Sequence, residues 1–261
     1  MDLQLGKKRA IVTGSTAGIG LAIASLLARE GATVIINGRT EKRLQEAMKK
    51  IGGGSKVRGV AADLATAKGV AEFVKQVPAA DILINSLGIF EPKPFAEIPD
   101  EDWSRFFETN VMSGVRLSRA YLPGMRKKNW GRIIFISSES GIQIPAEMIH
   151  YGMTKTAQIA VARGLAETCA GTGVTVNAVL PGPTASEGVK EFVGTLAKEK
   201  KQSRAEFEKE FFKSARPTSL LQRFAKPAEV ASLVAYLASP LSSATNGAAL
   251  RVDGGVVKSP F

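Results

Sequence analysis

Lys8-Arg9-Ala10-Ile11-Val12-Thr13-Gly14-Ser15-Thr16-Ala17-Gly18-Ile19-Gly20 is a short apolar strand that runs straight into a glycine turn. The helix that follows, through Leu21, Ala22, Leu26 and Leu27, ends before Gly31. Glycines let the backbone turn tightly and approach a pyrophosphate. A helix N-terminus adds N–H groups and the positive end of its dipole. A glycine-rich stretch alone says little. Placed between a first strand and a first helix, it points to a dinucleotide.

Outward from this stretch, strands and helices alternate. Residues 33–37 read as a β-branched strand, followed by Gly38, Arg39 and a polar helix over 41–51. Residues 57–61 form a third strand ending at Asp63 and Leu64, and 81–85 a fourth followed by Ser86-Leu87-Gly88. A helix is expected over 65–77. A long one opens at Pro99 with acidic residues in its first turn, contains Asn110, and is disrupted at Pro123-Gly124. Residues 132–136 are a fifth strand ending at Ser137-Ser138, and a loop over 142–150 leads to a helix at Tyr151. Residues 174–179, 226–237 and 248–252 supply a sixth strand, another helix and a seventh strand. Such alternation implies a parallel sheet covered on both faces. The expected fold is α/β: a Rossmann-type, doubly wound, seven-stranded sheet forming one domain over residues 1–261. Ligands in such sheets sit beyond the carboxyl ends of the strands, which here carry Gly14, Arg39, Asp63, Asn85, Ser138 and Pro181.

The end of the second strand is where such a fold meets the adenosine ribose. A carboxylate there would bond the 2′-hydroxyl and repel a 2′-phosphate. Arg39 stands there instead, and a guanidinium suits a phosphate. NADP(H) is therefore expected in preference to NAD(H), with Ser15, Thr16 and Asn37 as further phosphate contacts. Asp63 either accepts a hydrogen bond from the adenine amino group or caps the helix after it.

Tyr151-Gly152-Met153-Thr154-Lys155 puts a phenol and an ammonium on one helix face. A cation beside a phenol favours the phenolate, so the tyrosine pKa is expected to fall into a range useful for proton transfer. A half-buried tyrosine and a surface lysine would give the same spacing, so the pair draws its meaning from its surroundings.

Composition removes several classes. Hydrophobic residues make up 44 % of the 261, which argues against disorder. No apolar run reaches the length of a membrane span, and residues 1–9 lack the apolar core of a signal. A cytoplasmic protein is expected, and the single Cys169 fits a reducing compartment. The net charge of +11 raises nucleic acid as a partner. Between Glu187 and Arg216, however, eight basic residues interleave with six glutamates, the pattern of a solvated surface. No nucleic acid is expected. No metal is expected either, because His150 stands alone in its loop and no Cys/His cluster exists.

Taken together, Thr13-Gly14-x-x-x-Gly18-x-Gly20, Asp63, Asn85, Asn110, Ser138, Tyr151, Lys155 and Pro181-Gly182 resemble the short-chain dehydrogenase/reductase family, in its order and over essentially the whole chain. The resemblance implies an oxidoreductase in which Tyr151 exchanges a proton with a carbonyl or alcohol oxygen. Ser138, thirteen residues before it, bonds that oxygen; Ser137 and Ser140 are the less favoured serines. Lys155 lowers the phenol pKa and holds the nicotinamide ribose, and Asn110 holds a water that links Lys155 to solvent. Gly14, Ser15, Thr16, Gly18, Ile19, Gly20, Asn37, Arg39, Asp63, Leu64, Asn85, Gly88, Pro181, Gly182 and Thr184 complete the cofactor site, Thr184 at the carboxamide. One motif departs from the family: Leu87 replaces its alanine and is expected near the cofactor ribose.

Two other functions compete: a 3-oxoacyl-thioester reductase, and a cofactor-sensing scaffold without turnover. Residues 184–216 are the expected substrate lid. Phe192 with Leu196 and Phe207 with Phe211 mark apolar helix faces that line a hydrophobic pocket or bury against the core or a neighbouring subunit, with packing preferred. The family suggests a homotetramer or homodimer.

Overall fold

Apolar side chains alternate between the two faces of the strands, and this alternation builds two cores. Ala10, Val12, Val34, Ile36, Ile82, Ile84, Ile134 and Ile136 belong to one; Ile11, Ile35, Leu83, Ile133 and Phe135 belong to the other. The computed structural model describes residues 2–189, 194 and 202–260. Among them, seven strands, β1 (Arg9–Val12), β2 (Thr33–Gly38), β3 (Val57–Ala61), β4 (Ile82–Asn85), β5 (Gly131–Ile136), β6 (Val174–Pro181) and β7 (Ala249–Val252), form one parallel sheet. Their order is β3-β2-β1-β4-β5-β6-β7. Val12 pairs with Ile36 on one side and Ile84 on the other. Strand order reverses at this point, and a crevice opens beyond it.

The connecting helices are α1 (Gly18–Arg29), α2 (Glu41–Ile51), α3 (Ala67–Gln76), α4 (Asp100–Phe107), α5 (Ser113–Lys127), α6 (Ile149–Glu167), α7 (Arg204–Ser214) and α8 (Pro227–Ala238). Helices α1, α2 and α8 cover the first core through Ile23, Leu27, Leu44, Val230 and Val234. Helices α3, α5 and α6 cover the second through Val70, Phe73, Leu117, Met125, Ala162 and Ala166. The single-domain doubly wound sheet expected from the sequence is what is found.

Three local expectations change. Pro123 does not disrupt its helix: α5 runs through to Lys127. Proline removes one hydrogen bond there, and the fully buried Met125, packed where Gly131 has no side chain, holds the last turns in place. The helix after Asp63 starts at Ala67, and Thr66, not Asp63, is its cap, with its hydroxyl accepting from Gly69 N at 3.0 Å. Finally, α6 begins at Ile149, so His150 lies in its first turn. It is fully buried against Phe106, with ring centroids 4.1 Å apart. Both ring nitrogens lack partners, and burial lowers the pKa of the imidazole.

Candidate active site

Helix α6 lies along the end of β5, and the contact is made with polar atoms. Ser137 Oγ donates to the Lys155 carbonyl at 2.8 Å, which ties strand end to helix. Ser137, Ser138 and Ser140 all line the crevice, and the Ser137 hydroxyl is engaged with the helix. Ser138 Oγ donates to Glu139 Oε2 at 2.5 Å and accepts from Ser140 N at 3.1 Å. Tyr151, half-buried, and Ser138 line one cavity of about 430 Å³. Pro181, Gly182 and Thr184 from the end of β6, and Ile19 from α1, line the same space. Phe90, Met148, Val189, Phe207, Phe211 and Phe224 give the cavity an apolar lining. Phe207 and Phe211 pack on each other and also line the cavity, so both expected roles meet in this pair. Phe192 and Leu196 lie outside the described residues.

Lys155 sits behind the tyrosine, with Nζ 5.5 Å from the phenol ring centroid. It donates to the Ile136 carbonyl at 3.0 Å and to Gln158 Oε1 at 3.1 Å. Gln158 Nε2 in turn donates to the Asn110 carbonyl at 2.6 Å. That carbonyl lies in a π-turn, Glu108–Met112, between α4 and α5, where the usual helical ladder is interrupted. The Asn110 side chain is fully buried and spans Ile89 and Thr154: Oδ1 accepts from Ile89 N at 2.8 Å, and Nδ2 donates to Thr154 Oγ1 at 3.0 Å. The Gln158 amide therefore joins the Asn110 carbonyl to Lys155.

The direction of the Tyr151 pKa in this structure is opposite to the fall expected. Burial pushes the phenol up, and the Glu139 carboxylate adds to the push; Ser138 and Arg216 act the other way. Lys155 cannot counter this as a full cation, because burial brings it down to about 7, with Glu139 opposing the fall. The phenol is therefore held protonated.

Several predicted contacts move inward. Ser15 is fully buried, its Oγ donating to the Val12 carbonyl at 2.6 Å and accepting from Asn37 N at 3.0 Å. Asn37 Nδ2 donates to the Val60 and Ala62 carbonyls at 3.2 and 3.1 Å. The Ser15 side chain braces the turn and the Asn37 side chain ties β2 to the end of β3, so both are turned into the protein. Leu64 is in the core, which leaves only its backbone for a ligand. Leu87 packs against the same core. Arg39 is exposed, Asp63 holds Ala65 N through Oδ1 at 3.2 Å, and Thr184 Oγ1 donates to the Gly182 carbonyl at 2.9 Å.

A family model described as short chain dehydrogenase matches residues 8–196. The chain is a short-chain dehydrogenase/reductase. It is 50 % identical to the uncharacterized oxidoreductase YvaG of Bacillus subtilis over all of both chains. It is 34 % identical to the 3-oxoacyl-[acyl-carrier-protein] reductase FabG of Aquifex aeolicus, covering 98 % of this chain and 100 % of that one. The crystal structure of L-sorbose reductase from Gluconobacter frateurii, complexed with NADPH and L-sorbose, superposes with a TM-score of 0.94 at 33 % identity, covering 99 % of this chain and 100 % of that one. Proteins of this family are oxidoreductases that use nicotinamide cofactors on small molecules.

The residues of this short-chain dehydrogenase/reductase fit such a cofactor. Gly14 and Gly18 hold φ of +57° and +58°, and a Cβ on Gly20 would lie 2.6 Å from the Gly14 oxygen. Helix α1 begins without a side-chain cap, and its first backbone bond runs from Leu21 N to the Ala17 carbonyl, which leaves the N–H groups before it for a ligand. Asn85 Oδ1 is buried without a partner, an acceptor suited to a ribose hydroxyl. A Cβ on Gly88 would lie 3.5 Å from Lys155 Nζ. Among the described residues, no cluster of His, Cys, Asp and Glu could hold a metal, and no helix is long and apolar enough to cross a membrane.

Sequence reasoning missed Gln158, Glu139 and Arg216. Arg216, just past α7, reaches back to Glu139: Nε lies 3.2 Å from Oε1, and both side chains are buried. Its Nη1 also lies 3.2 Å from Glu147 Oε1.

Proposed function

We propose that the protein is an NADP(H)-dependent reductase of a small carbonyl compound, or the dehydrogenase of the matching secondary alcohol. The observation that supports this is the meeting of Tyr151 and Ser138 on one cavity with Lys155 directly behind. NADPH, when bound, supplies the hydride. The Gly14–Gly20 turn and the α1 N-terminus hold the pyrophosphate, Arg39 and Thr16 the 2′-phosphate, Asp63 and the Leu64 backbone the adenine. Asn85, Gly88 and Lys155 hold the ribose, and Pro181, Gly182 and Thr184 the nicotinamide.

Tyr151 gives its proton to the carbonyl oxygen during reduction. A phenol kept protonated by burial is suited to that direction. Ser138 donates to the same oxygen, where negative charge builds. Lys155 offsets the phenolate left behind, while Gln158 and Ile136 fix its position. Of the expected lid over residues 184–216, the described Thr184, Val189, Phe207 and Phe211 line the cavity and would shield a bound substrate, while residues 190–193 and 195–201 lie outside the described residues.

The test is purified protein with NADPH, NADH and a panel of ketones and aldehydes. Oxidation of NADPH coupled to carbonyl reduction supports the reading. Tight NADPH binding without turnover across the panel would instead favour the sensing scaffold. A second enzyme reading, 3-oxoacyl-thioester reduction, is favoured by the apolar lining and by the FabG relative. Acyl-thioester substrates in the same assay separate the two.

A further inference from the structure

Glu139 is an unusual presence in this cavity. Its side chain is buried, 4 % exposed for the whole residue, yet it lines the same space as Tyr151 and Ser138. Arg216 fixes one carboxylate oxygen at 3.2 Å, and Ser138 Oγ donates to the other at 2.5 Å. The hydroxyl that must donate to the substrate oxygen is thus already donating elsewhere.

When Ser138 turns its proton to a substrate carbonyl, the buried Glu139 Oε2 loses that donor. An unsatisfied buried acceptor is costly, and more so when it is charged. A substrate with no further donor leaves this cost standing. A substrate with a hydroxyl on the carbon next to the carbonyl removes it. That hydroxyl lies roughly one hydrogen-bond length from the carbonyl oxygen, much as Glu139 Oε2 lies from Ser138 Oγ. The two pairs match edge to edge: carbonyl oxygen on Ser138 and Tyr151, hydroxyl on Glu139.

Resting on the proposed reductase reading, we infer that Glu139 is a substrate-binding residue that selects carbonyl compounds bearing a hydroxyl on the adjacent carbon, or, in oxidation, vicinal diols. Arg216 holds the carboxylate in register, and Phe207, Phe211 and Phe224 take the remainder of the molecule. A site built to accept from a hydroxyl rejects the analogue that lacks it more strongly than an apolar pocket rejects a missing methylene.

The experiment compares acetophenone, α-hydroxyacetophenone and α-methoxyacetophenone with NADPH and the unaltered protein. The hydroxy compound is expected to exceed both others in kcat/KM by about tenfold or more, the worth of one hydrogen bond to a charged group. The methoxy compound keeps the oxygen and lacks the donor, so this arm needs no variant. In Glu139→Gln and Glu139→Ala the hydroxy-to-methoxy ratio should collapse toward unity. A purely structural role for Glu139 would lower all three substrates together and leave the ratio in place, which overturns the inference. Equal rates on the three compounds with the unaltered protein overturn it too, while the reductase reading stands. No reduction of any of the three, nor of other carbonyls, sinks that reading and this inference with it.

Discussion

Gln158 is hydrogen-bonded to Lys155 through Oε1 at 3.1 Å, and its other end reaches the Asn110 carbonyl at 2.6 Å. An ammonium that lies in a buried site is favoured by every acceptor it retains. Replacing Gln158 by Leu removes one, so the Lys155 pKa should fall and the alkaline limb of the kcat/KM profile should move to lower pH. Replacing it by Glu places a carboxylate against the ammonium, and the limb should move to higher pH. Two shifts in the same direction would show that the amide merely fills space.

Tyr151→Phe keeps the ring and removes the proton. Carbonyl reduction should fall about a hundred- to ten-thousandfold, the usual worth of a positioned acid. Binding of NADPH should survive, as read by fluorescence titration. Turnover equal to that of the parent would overturn the proposed mechanism.

Arg39 is exposed, and its side chain forms no ion pair among the described residues. Arg39→Ala should weaken NADP(H) by about ten- to a hundredfold, the range of a charge-assisted hydrogen bond. NAD(H) should not weaken, since it has no 2′-phosphate. Equal losses for both cofactors would remove Arg39 from the phosphate site.

Lys155 carries a pKa of about 7 when folded against an ordinary 10.5. Between these values the unfolded chain binds a proton that the folded chain has released, so the lysine makes stability rise with pH through this window. The Tm of the parent minus that of Lys155→Met should therefore grow from about pH 7 toward about pH 10. A gap that stays flat or shrinks would show that burial does not shift this lysine. Only the slope is read, because the methionine also leaves the Ile136 carbonyl and Gln158 without a donor.

His150 behaves in the same sense at lower pH. Burial lowers its pKa, so below the ordinary 6.5 the unfolded chain takes up a proton before the folded one does, and stability falls with falling pH. His150→Phe should lessen the loss of Tm on acidification. An unchanged acid profile would assign that loss to other groups.

The fold was legible because its signals are local. The glycine turn between Val12 and Leu21, and the Tyr151–Lys155 spacing, are set by backbone geometry within a few residues. Ser138 was legible by its distance from Tyr151 along the chain. The misses depend on partners distant in sequence. Gln158 reads as an ordinary polar helix residue until α6 meets the π-turn 48 positions earlier. Ser15 and Asn37 look like phosphate ligands until Ser15 Oγ is found accepting from Asn37 N and Asn37 Nδ2 found donating to the Val60 and Ala62 carbonyls. For Tyr151 the sequence shows the neighbouring cation, while the burial that raises the phenol pKa is visible only in the fold.

The ion pair between Glu139 and Arg216 joins positions 77 apart in the chain. One belongs to the loop beside Ser138, the other lies just past α7, whose Phe207 and Phe211 line the cavity. A chimera that imports a relative's α7 segment without its arginine would strand a carboxylate at the heart of the catalytic crevice. Exchanging substrate preference by segment grafting in this enzyme therefore means moving both residues as a single unit.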